Sequence, residues 1–165
     1  MRHRTGDSTW AFAAATGRPR WTSAAFAVSI LSLGFASLRS ALDGDADKEI
    51  ASALVASIGA IIVLVAQHQM GRAWRIGVRA GDTPLFVDRG LFRLSRNPVF
   101  VGMIVLGLGL AISAHDWLGW TAWLVFIASC HLQVAIEERH LMTSFGHAYR
   151  EFHARVPRWI GLGDE

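Results

Sequence analysis

Residues 98–136 read PVFVGMIVLGLGLAISAHDWLGWTAWLVFIASCHLQVAI and contain one acidic residue, Asp116, and no lysine or arginine. An α-helix rises about 1.5 Å per residue and a bilayer core is roughly 30 Å thick, so an apolar helix of about 17 to 25 residues crosses a membrane. A polar break at His115 and Asp116 divides the stretch into residues 98–114 and 117–136. The stretch therefore predicts two membrane-spanning helices joined by a very short connection.

Two further blocks without formal charge precede this pair, at residues 21–38 and 50–66. The whole chain is 52% hydrophobic and 18% charged, which is too apolar for an ordinary soluble domain. The blocks are apolar on all sides, whereas a core helix of a soluble bundle keeps a polar stripe. We predict an all-α, polytopic membrane protein, one domain over residues 1–165, with spans at about 21–38, 50–69, 98–114 and 117–136.

The positive charges fall on one side of this predicted bundle. Short cytoplasmic loops accumulate lysine and arginine, and only Arg39 and Lys48 fall between the first two blocks, in an otherwise acidic loop. We therefore predict that both termini are cytoplasmic. The arginines that support this orientation are Arg2, Arg4, Arg18 and Arg20, then Arg72, Arg75, Arg79, Arg89, Arg93 and Arg96, then Arg139, Arg150, Arg155 and Arg158.

Two polar segments, residues 71–97 and 137–160, are predicted to lie on the cytoplasmic side. Glycines and a proline in the first segment favour a folded loop over a continuous helix. In the second segment, apolar residues recur at spacings of three and four, which predicts a C-terminal amphipathic helix that Pro157 ends. The residues on its apolar face are Leu141, Phe145, Tyr149, Phe152 and Val156.

Glu137 and Glu138 stand together where the last predicted span meets the cytoplasm. Successive helical residues point about 100° apart, so only one of the two carboxylates can face the inside of the bundle. A carboxylate there suits an ammonium group or a pair of ribose hydroxyls, whereas the alternative is a solvated acidic pair beside Arg139. His131 lies about two turns earlier on the same face, either as a functional group or simply hydrogen-bonded to a neighbouring helix.

The start of the third span offers a second candidate cluster. Arg96, just before Asn97 and Pro98, has a guanidinium that binds a carboxylate in a two-pronged fork or anchors the helix to lipid phosphates. Glycines inside this span allow either close approach of a cofactor or tight helix packing. They are Gly102, Gly107 and Gly109.

The residue pattern argues against two classes of ligand. The seven histidines and the single cysteine form no ligand set of recognised spacing, so no metal site is predicted. The arginines lie beside membrane spans, where anionic lipid headgroups account for them without a nucleic-acid partner.

Several stretches, in order along the chain, resemble the isoprenylcysteine carboxyl methyltransferase family and its phospholipid methyltransferase relatives. They are MGRAWRIGV at 70–78, GLFRLSRNPVFVG at 90–102, EERHL at 137–141, FGHAYREF at 145–152, and the Val156-Pro157-Arg158 tripeptide. The resemblance implies a helical membrane fold that binds S-adenosylmethionine from the cytosolic side. It implies a cofactor-binding role for Asn97, Pro98, Phe100, Gly102, Gly107, Gly109, Glu137, Glu138, Leu141 and Tyr149.

This chain departs from the family pattern at positions that matter for chemistry. Many relatives have histidine where this chain has Asn97, and tyrosine where it has Phe92, Phe100 and Phe152. The first change removes a group that titrates near neutral pH, and the others remove hydroxyl donors. The resemblance therefore does not carry over the family's acceptor or a general base.

The predicted reaction is S-adenosylmethionine-dependent methylation of a lipophilic small-molecule acceptor that enters from the bilayer. Holding the acceptor in line with the methyl group is the main requirement. We predict that Arg96 orients a carboxylate acceptor, which needs no base, and that Glu137 or Glu138 holds the cofactor. A phenol, amine or thiol acceptor needs a base, for which His131 is the candidate.

The sequence leaves two alternatives open. One is a membrane sterol or isoprenoid reductase, whose family resembles this chain in its C-terminal region and which binds a nicotinamide cofactor. The other is a non-enzymatic membrane protein that keeps the fold. The sequence leaves the oligomeric state open in every case.

Overall fold

A computed structural model of the chain describes residues 20–43, 46–71 and 87–161. Within these ranges the chain is helical, without a strand, which confirms the predicted all-α class. Most of the predicted loop at 71–97 and the arginines at positions 2, 4, 18, 72, 75 and 79 lie outside the described residues. The helices are α1 (Arg20–Asp43), α2 (Ala46–Met70), α3 (Pro98–Ala114) and α4 (Trp117–Arg155), with a short 3-10 helix at Gly90–Arg93.

Two of these helices are long and apolar enough to cross a membrane, at Glu49–Met70 and Trp117–Arg155. The apolar helix α3 and the segment Val28–Arg39 of α1 are shorter. One face of α2 exposes apolar side chains that water solvates poorly, so this face suits contact with lipid. Its members are Ile50, Leu54, Ile58, Ile61 and Leu64.

Helices α2 and α3 run antiparallel in close contact, and glycines make that contact possible. A Cβ atom built at Gly102 would lie 2.8 Å from the Gly59 carbonyl oxygen, and one at Gly109 would lie 2.5 Å from the Ala56 backbone nitrogen. Gly107 instead faces Trp123, which donates from its indole Nε1 to the Ile104 carbonyl at 3.0 Å. The glycines of α3 therefore serve helix packing on two faces.

The connection between α3 and α4 defines the turn end of the bundle, at His115 and Asp116. His115 adopts a left-handed conformation with φ of 55°, and the Asp116 side chain accepts a hydrogen bond from Gly119 N at 2.8 Å. Asp116 therefore caps the start of α4. It also pairs with Arg39 of α1.

The opposite end, called the site end because it holds Glu138, has its own apolar core. Tyr149, Phe152 and Val156 pack there against Phe92 and Ala66, with Leu141 and Phe145 at the edge. The predicted apolar face of the C-terminal helix is therefore a packing face, and α4 contains both the last span and this segment. The break in α4 at Gly146, with φ of 53° and ψ of −118°, was not predicted.

A side chain at the end of α2 fastens the 3-10 helix. Gln69 Oε1 accepts a hydrogen bond from Leu91 N at 2.8 Å. Gly90 has φ of 63°, and its missing side chain leaves room for the Gln69 amide. The residues that lead into α3 are therefore tied to α2, and Pro98 takes the first helical position, as predicted.

Candidate functional site

The carboxylate of Glu138 is the centre of a buried polar cluster at the site end. Glu138 is only 5% exposed. Its Oε1 accepts hydrogen bonds from Arg96 Nε at 3.2 Å and Asn97 Nδ2 at 3.0 Å. Its Oε2 accepts from Arg158 Nε at 3.0 Å and Nη2 at 2.7 Å. Of the adjacent glutamates, Glu138 therefore faces the inside of the bundle, and a solvated acidic pair does not describe it.

Arg96 joins three parts of the chain. Besides Glu138, it binds the His153 carbonyl oxygen through Nη1 at 2.6 Å. That carbonyl belongs to the last turn of α4, where helix carbonyls lack helical partners and the dipole favours a positive charge. The Arg96 side chain is only 8% exposed, and its Nε and Nη1 hold Glu138 against the helix end. Direct contact with an acceptor stays a prediction.

Residues 156–161, here called the C-terminal strap, pass beside this cluster and bind the loop before α3. Pro157 O accepts from Arg96 N at 2.9 Å, and Arg158 O accepts from Ser95 Oγ at 3.1 Å. Gly161 N donates to Leu94 O at 3.4 Å. These backbone bonds bring the Arg158 side chain to Glu138.

Burial and neighbouring charges set the pKa of Glu138. This residue lies just after residues 117–136, the uncharged part of α4 that suits a membrane span. Desolvation, the largest single influence, acts to raise the pKa of Glu138. Hydrogen bonds from Arg158 and Asn97, with the charges of Arg96 and Arg158, outweigh it and hold that pKa below its usual range. Glu138 is therefore a carboxylate at neutral pH.

Tyr149 and His153 lie next to the cluster on the last part of α4. Burial and the negative charge of Glu138 raise the pKa of Tyr149, which stays a protonated phenol. Burial, with the charge of Arg96, lowers the pKa of His153 and favours its neutral form. The two rings meet edge to face with centroids 6.2 Å apart. The sequence pointed to Tyr149 but missed His153, although a spacing of four residues places them on one helix face.

His131 occupies a different position. Its ring lies 4.6 Å, centroid to centroid, from the ring of Trp159 on the C-terminal strap. Two helical turns separate it from Glu138, or about 10 Å along the axis. The structure therefore brings His153, and not His131, to the ion cluster.

The remaining predicted residues divide between the site and the packing of the bundle. Asn97 and Pro98 are buried beside the cluster, and Leu141 packs on the core that contains Tyr149. Phe100 packs against the core formed by Leu33, Ala111, Ala122, Phe126 and Cys130. Helix α2 packs against Gly102 and Gly109, and a cofactor role for them stays a prediction. In the described ranges, no group of three histidine, cysteine or acidic side chains is placed to hold a metal ion.

The described part of the chain is an apolar helical bundle with a buried ion cluster at one end, and two of its helices are long and apolar enough to cross a membrane. These features fit the class of all-helical membrane proteins. A family model described as phospholipid methyltransferase matches residues 48–148, which is more than half of the chain. The chain belongs to this family of integral membrane methyltransferases, which includes the isoprenylcysteine carboxyl methyltransferases, and the resemblance drawn from the sequence is confirmed. No curated protein and no solved structure matches it.

Proposed function

We propose that this chain is a multi-pass membrane enzyme that transfers a methyl group from S-adenosylmethionine to a lipophilic acceptor, at an active site facing the cytoplasm. The buried Glu138 carboxylate carries the proposal. It lies inside the range that matches the family, and Arg96 and Asn97 fix its orientation. A fixed anion in a partly dry site is suited to a cationic ligand.

The residues of the cluster fit the cofactor by their chemistry. S-adenosylmethionine carries an ammonium group and ribose hydroxyls, for which a carboxylate is a suitable partner. Glu138 is the residue that we assign to this contact, with Tyr149 as a protonated donor nearby. When bound, the cofactor supplies an electrophilic methyl group on a sulfonium, and the protein supplies position and charge.

The acceptor reaches this site from the bilayer in our proposal. Its apolar tail stays among lipids while its reactive group meets the cluster at the site end. Arg96 Nη2 makes no hydrogen bond within the described part of the chain, and we assign it to a carboxylate acceptor. Such an acceptor is already a nucleophile and needs no base.

A second candidate is an acceptor that must lose a proton, such as a phenol or an amine. The placement of His153 beside Arg96 and Tyr149 favours it over His131 as the base. Its lowered pKa keeps the imidazole able to accept a proton at neutral pH. Replacing His153 with Gln separates the candidates, because turnover falls for a protic acceptor and stays unchanged for a carboxylate.

Cofactor titration tests the assignment of Glu138. We expect calorimetry on protein in lipid nanodiscs to give an affinity for S-adenosylmethionine that falls about tenfold or more in Glu138→Gln, because one charge-assisted hydrogen bond is lost. Glu137→Gln is the matched control and retains the affinity. Equal affinity in wild type and Glu138→Gln would refute the assignment, and binding of a nicotinamide cofactor instead would favour a reductase.

A product assay tests turnover and identifies the acceptor. Protein, labelled S-adenosylmethionine and a membrane lipid extract are incubated together, and the labelled product is identified by mass spectrometry. We expect one lipid-soluble methylated product. A water-soluble product would contradict access from the bilayer, and bound cofactor without any product would support a non-enzymatic protein.

A further inference from the structure

The Glu138 carboxylate is fully occupied in the structure, which bears on how a cofactor reaches it. A carboxylate has about four acceptor positions. Arg96 and Asn97 fill those of Oε1, and the two donors of Arg158 fill those of Oε2. An incoming ammonium would also be a third cation beside one anion. One of the present partners must therefore leave before Glu138 can hold the cofactor.

Arg158 is the partner that is least firmly held. Its side chain is 40% exposed, whereas that of Arg96 is 8% exposed, and it extends from a strap outside the helices. Arg96 is further held by the His153 carbonyl, and Asn97 by the Arg158 carbonyl. Within the described ranges, displacing the Arg158 side chain breaks only its hydrogen bonds to Glu138.

The backbone of the strap has independent attachments that remain when this side chain moves. They are the bonds to Ser95, Arg96 and Leu94, and the contact of Trp159 with His131. The guanidinium can therefore swing outward while residues 156–161 keep their course. The movement needs side-chain rotation alone, which is fast for an exposed group.

We propose that Arg158 is a built-in competitor of the cofactor, whose guanidinium occupies the place of the cofactor's ammonium group in the free protein and is displaced on binding. The inference rests on the proposed role of Glu138. One cation leaves as another arrives, so the charge of the buried cluster is conserved. In the free protein, the donors of Arg158 satisfy Oε2 of Glu138, which would otherwise be buried without these hydrogen bonds.

The inference predicts that a substitution at Arg158 raises the affinity for the cofactor, whereas a purely structural role for Arg158 would lower it. Arg158→Met removes the competing donors and keeps an unbranched side chain, and we expect it to bind S-adenosylmethionine about tenfold more tightly than wild type in calorimetry on nanodiscs. It should also lower the melting temperature without cofactor and increase the thermal shift that the cofactor produces. Arg155→Met is the matched control, because Arg155 is an exposed arginine whose Nε donates to the Glu151 carbonyl at 3.4 Å. It should leave these values unchanged.

Arg158→Lys tests the same inference if Arg158→Met does not fold. Lysine retains one cation but cannot place two donors on Oε2, so its affinity should lie between those of wild type and Arg158→Met. Unchanged or weaker binding in the Arg158 variants would overturn the inference and leave the role of Glu138 intact. Failure of wild type, Arg155→Met and the Arg158 variants alike to bind the cofactor would overturn both.

Discussion

Each end of the bundle contains an arginine–carboxylate pair, and the two pairs differ in their surroundings. The side chains of Arg39 and Asp116 at the turn end are 53% and 22% exposed. Those of Arg96 and Glu138 at the site end are 8% and 6% exposed. An exposed pair contributes little to stability. A buried pair carries a large desolvation cost, and removing one of its partners strongly destabilises the fold. At the turn end, the ion pair links α1 to the start of α4. At the site end, a charged carboxylate lies buried where an apolar side chain would cost less.

The largest effect should come from breaking the buried pair. Replacing Arg96 with Met removes one cation from Glu138 and the donor to the His153 carbonyl, so we expect a loss of about 3 kcal/mol. Unfolding of detergent-solubilised protein by denaturant titration measures it. A loss below about 1 kcal/mol would show that the cluster behaves like an exposed pair.

A second contrast concerns glycines. Gly109→Ala places a Cβ 2.5 Å from the Ala56 backbone nitrogen, so α2 must shift, and we expect destabilisation of about 1–3 kcal/mol. Gly34→Ala in α1 is the control, because a Cβ there meets nothing within 4 Å. Gly34→Ala should be neutral or slightly stabilising in the same unfolding titration. Equal effects would refute the close packing of α2 on α3.

Acidification should weaken the site end of the bundle. Folding lowers the pKa of both His153 and Glu138, so each contributes stability above its unfolded pKa and loses it as pH falls through the folded pKa. The loss from His153 begins below about pH 6.5, and that from Glu138 below about pH 4.3. Melting temperatures across this range, compared with those of His153→Gln, measure it; identical profiles above pH 5 would contradict the placement of His153.

The smallest effect should come from the turn end. Arg39→Gln removes an exposed ion pair and should cost less than about 1 kcal/mol, with a smaller cost at high salt. Unfolding at low and high ionic strength measures it, with Arg96→Met in parallel. A loss as large as that of Arg96→Met would remove the contrast between the two ends.

Features that depend on neighbouring residues could be predicted from the sequence. The absence of charge at 98–114 and 117–136 predicted the last two helices, and the angular separation of Glu137 and Glu138 predicted that one of them faces inward. The spacing of Tyr149, Phe152 and Val156 predicted their shared face. These properties follow from helix geometry, which acts over a few residues.

Features that depend on distant contacts could not be predicted in this way. Arg158 lies 20 positions from Glu138, and Arg96 lies 42 positions away, so no helical spacing relates them. The break at Gly146 was hidden because glycine within a helix has no single outcome. His153 was not predicted, because its place in the site depends on its contact with the distant Arg96. The resemblance at Val156-Pro157-Arg158 was the one signal that pointed to the strap.

The hydrogen bond from Leu91 N to Gln69 joins the end of α2 to the 3-10 helix across 22 positions. This bond fixes the 3-10 helix directly on α2, and the eight residues from Gly90 to Asn97 then determine where Arg96 meets Glu138. An insertion or a deletion in these eight residues would move the guanidinium away from the carboxylate. The spacing between Gly90 and Pro98 should therefore stay constant over evolution.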